Sequence, residues 1–348
     1  MKKLLVTGGA GFLGYHICKK LSKQFDEIII VDIDKFDKRG YSKNTRYIKL
    51  DVRDRDGIEE LIQKEKPDFI IHGAAALPLY KKEVIMKVNV GGTKNILESS
   101  LKNNVKRVVF ISSTAVYGIP EKHPIYENDS LIGVGAYGET KIISEKLCEQ
   151  YRKKGLCVPV IRPKTFIGTE RLGVFQILYD WVENGKRIPI IGNGKNRYQL
   201  LEVEDLVDAI FLSLTKPEKM ANDTFNVGAE KFKTVYGDVS ALCTFSNSGS
   251  KVMKTPAPLV ILALRFFEML NLSPLYKWVY GTAEKDSFVS IDKIKKQLGW
   301  KPKYSNADAL IRSYKWYLEN KHQIEQGTGV THRIAWSQGI LGLFKRFM

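Results

Sequence analysis

Acids and cysteines are the scarce residues of this sequence, and long apolar runs are missing altogether. Asp and Glu number 38 against 55 Lys and Arg, a formal charge of +17. The surplus reads first as solvated basic faces, and second as attraction to anionic ligands or an anionic membrane surface. No nucleic-acid-binding motif accompanies it, so nucleic acid is not an expected partner. Cysteine occurs only as Cys18, Cys148, Cys157 and Cys243, with neither paired nor metal-like spacing. That excludes a disulfide framework, and no metal is expected. No stretch reaches membrane-spanning length, and no cleavable signal precedes the first strand-like run, Leu4-Leu5-Val6-Thr7. The expected location is the reducing cytoplasm. What is present is ample apolar material: 44% of the 348 residues are hydrophobic. This excludes a wholly disordered chain and suffices for one large domain, or two smaller ones sharing a core.

The first half alternates β-rich runs with helical patterns. Strands are expected at Lys3–Thr7, Glu27–Val31, Tyr47–Leu50, Phe69–Gly73, Arg107–Ser112 and Cys157–Arg162, with helices such as Phe12–Leu21 and Arg55–Lys64 between them. Strands alternating with helices make an α/β fold, a doubly wound parallel sheet with helices on both faces. Unbroken apolar strands such as Ile28-Ile29-Ile30-Val31 suit burial on both sides. After Arg162 the pattern loosens around Gly192-Asn193-Gly194 and Pro256–Pro258, where a smaller substrate-binding part is expected. The expected division is a dinucleotide domain over 1–165 to which 201–228 return through helix Val203–Leu214 and strand Thr224–Val227. A substrate domain then takes 166–200 and 229–320, and a hinge and amphipathic tail take 321–348.

Thr7-Gly8-Gly9-Ala10-Gly11-Phe12-Leu13-Gly14 joins the first strand to the first helix. Gly8, Gly11 and Gly14 permit a tight turn and close backbone approach to a pyrophosphate, which the N–H groups of the helix start then face. Asp32 closes the second strand, where a carboxylate accepts hydrogen bonds from ribose hydroxyls and repels a 2′-phosphate. NAD is therefore the expected cofactor, with Asp51 and Val52 beside its adenine.

Tyr137-Gly138-Glu139-Thr140-Lys141 heads a long helical pattern, so Tyr137 and Lys141 share a face. A free phenol, with its pKa near 10, is too weak a base at neutral pH. A neighbouring ammonium and a positive nicotinamide favour the phenolate. Ser113 ends a strand within Ser112-Ser113-Thr114-Ala115-Val116-Tyr117-Gly118, where its hydroxyl is placed to bridge to a substrate oxygen. Alone, a Tyr-x-x-x-Lys pair is usually a surface feature; the upstream serine and the glycine loop make it a candidate catalytic set.

These segments resemble the extended short-chain dehydrogenase/reductase family, in its NAD-dependent epimerase/dehydratase branch. The resemblance covers about Lys3 to Glu319 and adds His72-Gly73-Ala74-Ala75, Asn89-Val90-x-Gly92-Thr93, Ile161-Arg162-Pro163, Val203-Glu204-Asp205, Phe225-Asn226-Val227-Gly228 and Leu298-Gly299-Trp300-x-Pro302. It implies a Rossmann-type sheet with a smaller C-terminal substrate domain, and a homodimer. Ser113, Tyr137 and Lys141 become the catalytic set. The implied cofactor contacts are Gly8, Gly11, Phe12, Leu13, Gly14, Asp32, Asp51, Val52, Ala74, Ala75, Tyr137 and Lys141, with Asn89 bracing the structure nearby.

The resemblance also narrows the reaction. Relatives that eliminate water carry acidic residues just after the active-site serine or threonine; here Thr114 and Ala115 stand there. An epimerase of a nucleotide sugar is therefore expected, by oxidation to a ketone and reduction on the opposite face. Its relatives place Asn where this chain has Thr165, and Arg where it has Tyr198, with Arg197 one position earlier. Candidate substrate contacts are thus Ser113, Thr114, Thr165, Arg171 and Arg197; Arg171, Lys164 and Lys195 are alternative phosphate partners, although each reads first as a surface charge.

A second reading is a membrane-associated enzyme of a steroid or polyprenyl-linked sugar. Apolar Pro258–Leu272 and the tail His332–Met348 motivate it. The tail carries Trp336, Ile340, Leu343, Phe344 and Phe347 on one stripe between basic flanks, suited equally to peripheral contact at the inner membrane face and to docking on its own domain or a second subunit. A third is a cofactor-bound sensor without turnover, against which the intact Ser113, Tyr137 and Lys141 argue.

Overall fold

The computed structural model describes residues 2–34, 36–78, 80–269 and 283–323. Its strands are β1 (Lys3–Thr7), β2 (Glu27–Asp32), β3 (Thr45–Lys49), β4 (Phe69–His72), β5 (Arg107–Ile111), β6 (Val160–Pro163), β7 (Phe166–Ile167), β8 (Arg187–Ile191), β9 (Leu201–Glu202), β10 (Thr224–Val227) and β11 (Lys251–Thr255). Seven of them form one sheet in the order β10-β6-β5-β4-β1-β2-β3, every pair parallel. Parallel strands need crossovers, and the helices supply them. These are α1 (Phe12–Leu21), α2 (Arg55–Glu65), α3 (Lys82–Met86), α4 (Gly92–Lys102), α5 (Gly135–Lys153), α6 (Val174–Glu183), α7 (Val203–Thr215), α8 (Glu218–Ala221), α9 (Val235–Ser246) and α10 (Ala257–Met269).

Strand periodicity divides the apolar side chains between two cores. Leu4, Val6, Ile28 and Ile30 meet Ile17 and Leu21 of α1 and Leu206 and Ile210 of α7 on one face. Leu5, Ile29, Val31 and Phe110 meet Ile58 and Ile62 of α2, Ile96 of α4 and Cys148 of α5 on the other. This is the doubly wound Rossmann-like arrangement that the alternation predicts. A third core belongs to the C-terminal part. There Tyr179 and Trp181 of α6 and Leu242 of α9 pack on Tyr314 and Tyr317 of the helix Asn306–Asn320. Two small parallel pairs, β8 with β11 and β7 with β9, complete it.

Two strands differ from expectation by more than one residue at an end. β6 begins at Val160 rather than Cys157. The carbonyls of Cys157 and Pro159 already accept from Val108 and Phe110, but Pro159 has no N–H to return. β3 runs Thr45–Lys49 rather than Tyr47–Leu50; as an edge strand it takes its register from β2 alone, which pairs Ile28 with Thr45. Trp300, 1% exposed, fixes the C-terminal part to α7: its Nε1 donates to the Asp205 carbonyl at 3.0 Å. The Asp205 carboxylate in turn accepts from the backbone of Lys303 and Tyr304.

Among the described residues no helix is long and apolar enough to cross a membrane. Of the apolar run 258–272, the part up to Met269 lies in α10, where Leu259 and Leu262 are exposed. The stripe from Trp336 to Phe347 lies outside the described residues.

Candidate active site

The glycine loop sits where β1 ends in the middle of the sheet. Gly8 adopts φ +72°, and a Cβ there would lie 2.9 Å from the Ala74 backbone nitrogen. A Cβ on Gly14 would lie 2.4 Å from the Gly8 carbonyl oxygen. Side chains are excluded on both sides, so the loop is bare backbone. Gly11 caps α1 without a side-chain hydrogen bond, and the first turn, which includes Phe12 and Leu13, holds no acid. The N–H groups and positive end of that helix suit a pyrophosphate.

Asp32 stands at the end of β2. Its Oδ2 accepts from Ala10 N–H at 3.0 Å, and its Oδ1 from Ile33 and Asp34 N–H. These bonds fix the carboxylate beside the loop, at the position a ribose diol occupies on this fold. Asp51 is clamped by Arg53, whose guanidinium holds its carboxyl below the usual range. Val52 is buried, and its carbonyl accepts from Asn95. Bare loop, uncapped helix and placed carboxylate together fit a dinucleotide.

A chain of buried hydrogen bonds runs from this loop to α5. Thr7 Oγ1 accepts from Ala74 N–H and lies 2.7 Å from His72 Nδ1. His72 Nε2 lies 3.1 Å from Thr93 Oγ1, which donates to the Asn89 carbonyl. Burial pushes the His72 imidazole down to about 3, so it is neutral at physiological pH. Asn89 occupies a π-helical turn, Lys87–Gly91, between α3 and α4. Its side chain accepts from Ala76 N–H at 2.8 Å and donates to Thr140 Oγ1 at 3.0 Å. It therefore ties the segment after Ala74 and Ala75 to the helix carrying Tyr137 and Lys141.

Ser113 caps the turn Thr114–Tyr117, its Oγ accepting from Ala115 N–H at 3.1 Å. Gly133 and Val134 N–H donate to the carbonyls of Val116 and Ala115. A Cβ on Gly138 would lie 2.7 Å from the Ala115 oxygen. The first turn of α5, with Tyr137, is thereby pressed against the turn that Ser113 opens. Lys141 is buried one helical turn later. Its Nζ donates to the Ile111 carbonyl at 2.8 Å and lies 5.8 Å from the Tyr137 ring centroid. Burial pushes the ammonium down to about 8, still mostly charged at neutral pH.

The remaining candidates divide. Thr165 Oγ1 lies 2.9 Å from Tyr198 OH. Arg197 is half exposed and lies 4.2 Å from the Phe288 ring, while its N–H donates to Asp286. Thr114 lines a pocket with Gly118, Ile119, Pro120, Ile125, Lys164, Asp286 and Ser287. Lys195 is exposed, as a surface charge should be. Lys164 and Arg171 are not surface charges: both are buried. Arg171 lies 5.2 Å from the Phe12 ring and 5.8 Å from Phe166, because flanking aromatic rings accept a weakly hydrated guanidinium. Sequence reading passed over Ser287 and Asp286, which reach the site from a segment with no motif of its own. It also passed over Glu145 on α5, whose carboxylate pairs with buried Arg162 at 2.5 Å and accepts from Ser112.

The profile of the NAD dependent epimerase/dehydratase family matches residues 4–228. An uncharacterized Sinorhizobium fredii protein, y4nG, is 33% identical over 349 residues, covering 99% of this chain and 85% of its own. A UDP-glucose 4-epimerase of Lactobacillus helveticus is 28% identical, covering 90% of this chain and 97% of its own. The crystal structure of Thermotoga maritima UDP-glucose 4-epimerase with UDP-glucose superposes with a TM-score of 0.77 at 25% identity, covering 92% of this chain and 99% of that one.

Proposed function

The chain belongs to the NAD-dependent epimerase/dehydratase family, and from that premise we propose that it epimerises a nucleotide-activated sugar through transient oxidation to a ketone. The observation that carries this reading is the buried Lys141 ammonium beneath Tyr137, on a helix pressed against the Ser113 turn. Bound NAD supplies the two-electron acceptor and donor. The protein supplies the proton chemistry. The Lys141 charge favours the ionised phenol, so Tyr137 takes the proton of the reacting hydroxyl and later returns it. Ser113 Oγ accepts from Ala115 N–H, which leaves its own proton to donate to the substrate oxygen. Thr114 and Ala115 carry no group able to eliminate water, which supports epimerisation over dehydration. Relatives named as UDP-glucose 4-epimerases support the sugar-nucleotide class.

The test is incubation with UDP-, GDP- and dTDP-sugars and a polyprenyl-linked sugar, with the epimers resolved by chromatography or NMR. Inversion of a sugar nucleotide without accumulation of NADH is expected. Tyr137→Phe should lower kcat by about 10²–10⁴-fold with NAD still bound. Wild-type turnover in that variant would remove the phenol from the mechanism. Stoichiometric NADH with a stable ketone would make the protein a dehydrogenase instead.

A further inference from the structure

Lys164 follows directly on β6, and its side chain is 4% exposed. The Nζ donates to Ser287 Oγ at 2.7 Å and lies 4.9 Å from the Tyr198 ring centroid. An ammonium has three N–H donors, and among the described residues Ser287 is the one acceptor it meets. No carboxylate of the described residues lies within ion-pair distance of it. A buried charge without a counter-charge costs several kcal/mol. Buried Arg162 meets that cost by pairing with Glu145, and Lys141, the other buried lysine of the described residues, belongs to the proposed catalytic pair. Asp286 shares the pocket with Lys164 but is engaged by Arg197, through its N–H at 2.7 Å and its guanidinium at 3.7 Å. Thr114, one residue beyond Ser113, lines the same pocket. The uncompensated cation therefore stands next to the proposed reacting centre.

We infer that Lys164 is a substrate-recognition residue whose ammonium pairs with an anionic oxygen group of the sugar nucleotide, either a carboxylate on the sugar or an oxygen of the diphosphate. The inference rests on the sugar-nucleotide reading above and names the charge that the site selects. Burial also pushes the Lys164 ammonium down to about 7, so the free site is only partly charged at neutral pH. An arriving anion restores the charge, and binding draws in a proton. The charged or titratable groups around it are Asp286, Arg197, the Tyr198 phenol, which burial pushes up, and the His123 imidazole, on which Lys164, Asp286 and Arg197 all act.

Calorimetry on the full-length, NAD-loaded protein tests this with UDP, UDP-glucose and UDP-glucuronic acid as ligands. The proteins compared are wild type, Lys164→Met and Lys164→Arg. Loss of a charge-assisted pair should weaken binding in Lys164→Met by at least about tenfold, with Lys164→Arg recovering most of it. If the loss falls on UDP-glucuronic acid alone, the group is the sugar carboxylate. An equal loss on all three ligands makes it the diphosphate. Proton uptake at pH 8, seen as a buffer-dependent enthalpy, should disappear in Lys164→Met. Met fills similar space without charge, so the ligand-free variant should unfold at the same temperature as wild type or higher; a purely structural lysine would give a lower one. Unchanged affinity for all three ligands in folded Lys164→Met would overturn the inference. Should the wild type bind none of them and no GDP- or dTDP-sugar either, the sugar-nucleotide reading falls, and this inference with it.

Discussion

The two halves of the site treat buried polar groups differently. On the cofactor side they are satisfied by one another, apart from the Lys141 ammonium of the proposed catalytic pair, which meets the Ile111 carbonyl alone. Thr7, His72, Thr93 and Asn89 form an unbroken buried series, and Glu145 holds Arg162. On the substrate side Lys164 has a single hydroxyl partner and Arg197 is half exposed. A scaffold whose polar groups are complete holds its shape before any ligand arrives. A pocket with a charge left over is completed by what binds there. The difference separates a fixed reaction centre from a recognition surface.

Three measurements test that contrast. The largest effect is expected at Glu145. Removing one partner of a buried pair leaves the other charge stranded, so Glu145→Ala should cost about 3–5 kcal/mol in urea unfolding. If Glu145→Ala were as harmless as Lys164→Met is expected to be, the two halves would not differ.

Next comes pH. Burial lowers the His16 imidazole to about 4 and that of His72 to about 3, from 6.5 when exposed. Both folded values are depressed, so the stability they confer is complete above pH 6.5. It is lost as pH falls toward 4, because the unfolded chain binds protons that the folded one refuses. Each histidine contributes a slope of about 1.4 kcal/mol per pH unit across that window. Urea midpoints between pH 7 and 5 measure it, and His72→Gln should flatten the slope. A slope unchanged by that substitution would place a charged imidazole in the core.

The smallest effect is expected at Asn89, where Asn89→Ala should cost about 1–2 kcal/mol through unmet hydrogen bonds. It should also lower kcat, because the segment after Ala75 and helix α5 lose their common tie. Full activity with the stability loss alone would make Asn89 structural only.

Much of the first half was legible because its information is local. Alternating runs marked β1, β2, β4 and β5 to within a residue, since strands buried on both faces are largely apolar. The glycine loop and the Tyr137–Lys141 pair are short patterns whose geometry follows from spacing. The π-helical turn at Asn89 left no such trace, because a single turn of altered helix type depends on backbone hydrogen bonds that residue spacing does not reveal. The substrate side was poorly legible because its partners are remote. Lys164 meets Ser287 across 123 positions, and Arg197 meets Asp286 across 89. Lys164 and Arg171 rank in the sequence as surface charges ahead of phosphate partners, because burial of a cation depends on rings and hydroxyls that only the fold brings together.

In the proposed mechanism the inverted carbon loses and regains its own hydrogen while Tyr137 handles only the hydroxyl proton. Running the reaction in D2O on the sugar nucleotide that turns over, and locating deuterium in the product by NMR, tests it most directly. The account predicts no deuterium at the inverted carbon. Deuterium there at a level matching turnover would mean inversion by carbon deprotonation, and would contradict it.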